Sequence, residues 1–125
     1  MIREIVTLNE MDLQTYYDNI IDRVGYVQQV NIVIVSPKNI ARAAFDELPT
    51  SILKSNMRRN ITFSSTGSHI LFETPRGFYC AVKGWTINEL YVVDCELTEE
   101  DKEWIFPCMA SSGTLYATVK INENT

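Results

Sequence analysis

Leu90-Tyr91-Val92-Val93-Asp94-Cys95-Glu96 is the stretch on which the fold turns. Four apolar residues, rich in β-branched and aromatic side chains, run without interruption into an acid. So short a continuous apolar run fits a strand buried on both faces, which is a central position in a parallel sheet. In an open α/β sheet, ligands gather at the carboxyl ends of such strands. Asp94 sits at that end and is a candidate site residue; its competing role is to cap the turn that follows.

The segments on either side repeat the pattern. Arg3 to Leu8 reads as a strand, with Ile5, Val6 and Leu8 apolar and Thr7 β-branched. Asn9 can cap a helix, with Asp12 positioned to return the bond. Apolar residues at Leu13, Tyr16, Tyr17, Ile20, Ile21 and Val24 give that helix one buried face, and Gly25 can end it in the left-handed conformation. Ile32-Val33-Ile34-Val35 shows no polar alternation and predicts a second central parallel strand. Ser36-Pro37 stops it, and Ser36 or Asn39 can cap a helix through Leu48 that Pro49 closes. A short helical piece is expected over Thr50 to Met57.

Asn60–Ser64 and His69–Thr74 flank Ser65-Thr66-Gly67-Ser68, the pattern of a β-hairpin. Phe78 to Trp85 predicts an irregular or short extended connection. Thr98 opens a near capping box, with Glu99, Glu100 and Asp101 massed where the helix dipole favours acids. Trp104, Ile105, Cys108 and Met109 are the expected inner face, and Pro107 must kink or shorten the helix. Thr114 to Ile121 is the last strand, with Leu115, Ala117, Val119 and Ile121 on one face. Strand-helix-strand-helix-hairpin-strand-helix-strand predicts an α/β fold: a mostly parallel sheet with flanking helices and a β-hairpin, one domain over 1–125.

Composition narrows the function. The 125 residues are 46% hydrophobic and 22% charged, enough for a real core. No apolar run reaches membrane-spanning length, and Met1-Ile2-Arg3-Glu4 does not read as a secretion signal. Cys80, Cys95 and Cys108 form neither a metal knuckle nor an even disulfide set, which suits reduced thiols in a cytoplasm. A net charge of −5 disfavours tight nucleic-acid binding. His69 is the only histidine, so no metal site and no cofactor are expected.

Taken together and in order, these segments resemble the ATPase domain of the large terminase subunit, the DNA-packaging motor of tailed phages. Val30 to Pro37 and the helix after it are similar to the strand and helix that follow the family's phosphate-binding loop. Ile61 to Phe72 resembles its hairpin, and Lys83-Gly84-Trp85-Thr86-Ile87 stands where an Arg-Gly segment is common. Leu90 to Glu96 resembles the Walker B strand, whose aspartate holds magnesium. Trp104-Ile105-Phe106-Pro107, Ser111-Ser112-Gly113 and the closing strand resemble the segment leading to the coupling motif. The resemblance implies that the last strand lies between the first strand and the Leu90 strand.

The departures from the family fall on its chemistry. A phosphate-binding loop needs Gly-Lys-Thr or Gly-Lys-Ser, so that backbone N–H groups cradle phosphate, the lysine neutralises it and the hydroxyl reaches magnesium. If Thr15 matches that hydroxyl, Leu13 stands for the glycine, Gln14 for the lysine, and Glu10 for a frequent arginine. Cys95 occupies the place of the glutamate that orients water, and Glu96 comes one residue late. Leu13, Gln14, Thr15, Asp94 and Cys95 therefore outline a degenerate nucleotide site. The expected activity is protein binding by an inactive, phage-encoded ATPase-like domain, its partner a packaging component or a host factor. The alternatives are residual nucleotide binding or hydrolysis through Thr15 and Asp94, and an acidic mimic of DNA. Arg58-Arg59 reads as a solvated loop, with a phosphate contact as the alternative. Cys95, beside acids, is expected to be an inert thiol.

Overall fold

The computed structural model describes residues 2–46, 54–55, 60–63, 66–75, 86–110 and 115–122. In chain order the elements are β1 (Ile2–Asn9), α1 (Glu10–Val24), β2 (Asn31–Val35), α2 (Lys38–Asp46), β3 (Lys54–Ser55), β4 (Asn60–Phe63), β5 (Ser68–Glu73), β6 (Glu89–Val93), α3 (Glu99–Ile105), a 3-10 turn (Phe106–Cys108) and β7 (Leu115–Asn122). The strands form one sheet in the order β1-β7-β6-β2-β5-β4-β3. The first five strands in that order are mutually parallel, and β4 and β3 extend the edge antiparallel.

The two uninterrupted apolar runs take the centre. β6 and β2 lie side by side with Val33 opposite Leu90, and Ile32 to Val35 and Leu90 to Val93 are all buried. Period-two alternation then divides the core. Ile32, Ile34, Ile70, Phe72, Tyr91 and Val93 meet α1 and Phe45 of α2 on one face, and Val33, Val35, Leu71, Leu90 and Val92 meet Leu97 and Ile105 on the other. Each such side chain contributes about 1.5–3 kcal/mol by leaving water. Ring contacts fix the helix positions: Tyr17 and Phe45 stand edge-on to Phe72 at 5.7 and 6.2 Å, and Tyr16 stands edge-on to Tyr91 at 5.9 Å. β7 lies between β1 and β6, the order implied by the resemblance.

Local signals hold where the chemistry is local. Thr98 and Asp101 close a reciprocal capping box at the start of α3. Pro107 ends the α-helix at Ile105 and leaves the 3-10 turn. β4 pairs with β5 so that Phe63 faces Ser68; residues 64 and 65 lie outside the described residues. So do 47–50, 76–85 with Cys80, Arg58-Arg59 and 111–114.

Other expectations are corrected. Gly25 has φ −61, a right-handed residue, because the chain leaves α1 through tightening turns in which Tyr26 and Val27 both donate to the Arg23 carbonyl. The left-handed residue of this connection is Gln29, at φ 55. Asn9 stands at the N-cap of α1 without a side-chain bond. Neither Ser36 nor Asn39 caps α2: the helix begins at Lys38, so Asn39 lies inside it, and the Ser36 hydroxyl has no partner. Lys54 and Ser55, expected in a helix, pair with Ile61 and Asn60, because the free edge of β4 offers a ladder to a short segment. Trp104 is 56% exposed, since neighbours in a helix stand about 100° apart and Ile105 is the one turned into the core.

Candidate functional site at the carboxyl end of the sheet

Parallel strands bring their carboxyl ends to one edge. Asn9, Ser36, Asp94 and Asn122 lie at or just past the ends of β1, β2, β6 and β7. The chain leaves β2 toward α2 on one face and leaves β6 toward α3 on the other. Adjacent strands whose connections depart to opposite faces define a topological switch point, where ligands of open α/β sheets bind. Here it falls between Val35-Ser36 and Val93-Asp94-Cys95.

β6 ends abruptly there. Asp94 has φ 52 and its N–H donates to the Val119 carbonyl at 2.9 Å, so β7 holds the turn. Aspartate tolerates this left-handed conformation better than most residues. Its side chain is exposed, whereas Cys95 turns back toward β2, its thiol 3.8 Å from the Val35 carbonyl. Burial above all, then Asp94 and Asp101, pushes the Cys95 thiol up to about 11. A thiol held neutral is neither a good nucleophile nor a general base. Glu96 is exposed, and Leu97 carries the chain into the core.

Two buried hydroxyls belong to the same end. Ser36 Oγ and Tyr17 Oη have no hydrogen-bond partner among the described residues. Burial raises the Tyr17 phenol, with Tyr16 and Cys95 adding to it, so Tyr17 lies within electrostatic reach of Cys95.

The residues matched to the phosphate loop are elsewhere in character. α1 begins at Glu10, immediately after β1 ends at Asn9, so no loop separates strand from helix. Leu13, Gln14 and Thr15 are helical residues. Leu13 packs against the core, Gln14 donates to Asp18 at 3.0 Å, and Thr15 is exposed. The start of α1 and Asp94 share the carboxyl end of the sheet but stand two strands apart, about 10 Å across it. Among the described residues no cluster of three metal-ligating side chains exists; Cys95 and Cys108 are free thiols, and His69 lies on β5.

The feature that sequence reading missed is at the opposite end. Arg23, in the last turn of α1, forms a two-pronged pair with the buried Glu89: Nη1 to Oε2 at 2.7 Å and Nη2 to Oε1. Nη2 also donates to Tyr91 Oη at 3.2 Å, and that hydroxyl donates to Glu89. The available signal was Glu89 itself, an acid abutting a wholly apolar strand, which burial obliges to find a cation.

In comparisons with known proteins, the chain matches no family model and no curated protein sequence. Among the described residues no helix is long and apolar enough to cross a membrane.

Proposed function

We propose that this protein is a terminase-ATPase-like domain that has lost nucleotide chemistry and works by binding another protein. The observation that carries the reading is the direct passage from β1 into α1. Phosphate cradling needs backbone N–H groups displayed by a loop ahead of the helix. Here no such loop exists: Leu13 and Gln14 lie past the first turn of α1, where their N–H groups serve the helix, and they supply neither a glycine's freedom nor a cation. The Cys95 thiol, neutral below about 11, cannot replace a glutamate that orients water.

The partner in this reading is a packaging-motor component or a host factor, met in the cytoplasm of an infected cell. A fold kept without its chemistry retains the surfaces by which an active relative would engage its partners. Phosphate release by the purified protein with ATP and magnesium is the test, with Asp94→Ala as the control for contaminating ATPases. The expected result is no release above that control and no shift of the melting temperature by ATP. Turnover abolished by Asp94→Ala overturns the proposal and establishes a hydrolase acting through Asp94.

A further inference from the structure

β1 is the end strand of the sheet. It pairs along its whole length with β7 and, among the described residues, with nothing on its other side. In a parallel pair alternate residues bond the neighbour, so the rest turn N–H and C=O groups outward. Eight residues make an edge of about 26 Å. Natural edges of this length are blunted by proline, by lysine or by a covering element. From Ile2 to Asn9 there is no proline and no lysine; the two charges, Arg3 and Glu4, stand near its start, and beyond them Ile5 is 70% exposed.

The two faces beside this edge differ. On the α1 face, Val6 and Leu8 pack into the core beside Leu13 and Tyr16, and Glu4 is exposed. By alternation Glu4 shares the face of Val6 and Leu8, the side covered by α1. The solvent side of α1 carries Asp12, Asp18 and Asp22, all exposed. Among the described residues none of these four acids is ion-paired, while Arg23 is engaged with Glu89. On the other face Arg3 lies over the Phe106 and Tyr116 rings at 5.6 and 5.9 Å, and Ile5 follows it.

We infer that the β1 edge accepts an extended segment of a partner protein as an eighth strand, and that this segment alternates basic and β-branched residues. Main-chain bonds supply the affinity and the alternation supplies the specificity. Basic side chains fall on the α1 face, opposite Glu4 and on the side of the sheet where α1 carries its exposed acids, and β-branched ones fall opposite Ile5. A second copy fits less well. A two-fold axis normal to the sheet would keep both α1 helices on one face and set their acids against each other. This inference rests on the protein-binding reading above, whose own failure is registered separately by phosphate release.

The probe is a fluorescein-labelled heptapeptide of alternating valine and lysine. Binding is followed by anisotropy at about 150 mM salt and located by amide hydrogen exchange. The expected result is saturable binding with slowed exchange confined to residues 2–9. A valine–glutamate heptapeptide should not bind. Ile5→Lys, at an exposed position that leaves the fold intact by melting temperature, should weaken binding about tenfold, and Asp12→Lys should weaken it without altering exchange elsewhere. Absence of binding, binding indifferent to Ile5→Lys, equal binding of the glutamate peptide, or protection outside β1 overturns the inference. So does a dimer that protects β1 without peptide, which would make a second copy the occupant.

Discussion

Ser68 and Ser36 are both fully buried, each at one end of a central parallel strand, and their hydroxyls have opposite fates. Ser68 Oγ donates to the Val27 carbonyl at 2.7 Å and accepts from the Val30 N–H at 3.0 Å. Ser36 Oγ has no partner among the described residues. The contrast extends to the two ends of the sheet. At the amino end Arg23, Glu89 and Tyr91 form a closed network, and Asn31 N–H donates to the Asn88 side chain at 2.8 Å. At the carboxyl end two hydroxyls are idle, Asp94 is held in the left-handed region, and Cys95 is held neutral. Polar groups that are paired lock helices to strands, whereas unpaired ones cost stability and persist where other demands shape the structure. The amino end therefore secures this fold, and the carboxyl end is where an α/β protein keeps its chemistry.

The largest expected effect lies in the amino-end network. Arg23→Met leaves Glu89 buried without its cation and should cost about 3 kcal/mol, the low end for a broken buried pair because the guanidinium is half exposed. Urea denaturation measures it. Adding Glu89→Met should recover most of the loss, since a buried ion pair and an apolar pair of similar volume are often close in stability. A double variant no more stable than Arg23→Met would show that the network does not act as a unit.

Ser68→Ala comes next, removing one donor and one acceptor from buried backbone groups, at about 1–2 kcal/mol by the same assay. Thr98→Ala removes the cap of α3 and should cost about 1 kcal/mol.

The pH response separates the ends further. Folding raises Cys95 from 9.0 to about 11 and Tyr16 from 10.0 to about 12, so between those values the folded state binds more protons than the unfolded one. Stability is accordingly undiminished below pH 9 and falls as the pH rises through 9 to 12. Cys95→Ala should flatten the lower part of that fall. Alkylation of Cys95 should be slow at neutral pH and accelerate toward pH 11. Rapid modification at pH 7 would mean that the thiol is not held neutral.

Ser36→Ala carries the smallest effect, within about 0.5 kcal/mol and in the stabilising direction, because no bond is lost and an unsatisfied hydroxyl is removed. A loss comparable to that of Ser68→Ala would erase the difference between the ends.

Legibility from sequence followed the range of the interaction. The parallel α/β sheet was written in Ile32–Val35 and Leu90–Val93, because only strands covered on both faces dispense with polar alternation. The capping box at Thr98 and the stop at Pro107 were equally plain, each being decided within four residues of chain. That Leu13, Gln14 and Cys95 supply no glycine, no cation and no carboxylate could also be read, since that concerns which atoms are present. Tertiary structure alone decided the rest. Arg23 and Glu89 are 66 residues apart, and only the crossing of α1 over the sheet brings them together. Lys54 and Ser55 became a strand because β4 had an edge to offer, and Trp104 faces water because the fold turns its neighbour Ile105, about 100° around α3, into the core. Gly25 is right-handed and Gln29 left-handed because the Ser68 turn, not the glycine, sets the path between α1 and β2: Gln29 N–H must reach the Thr66 carbonyl. Short-range chemistry acts on the residue that carries it; long-range pairing depends on which surface the fold places opposite.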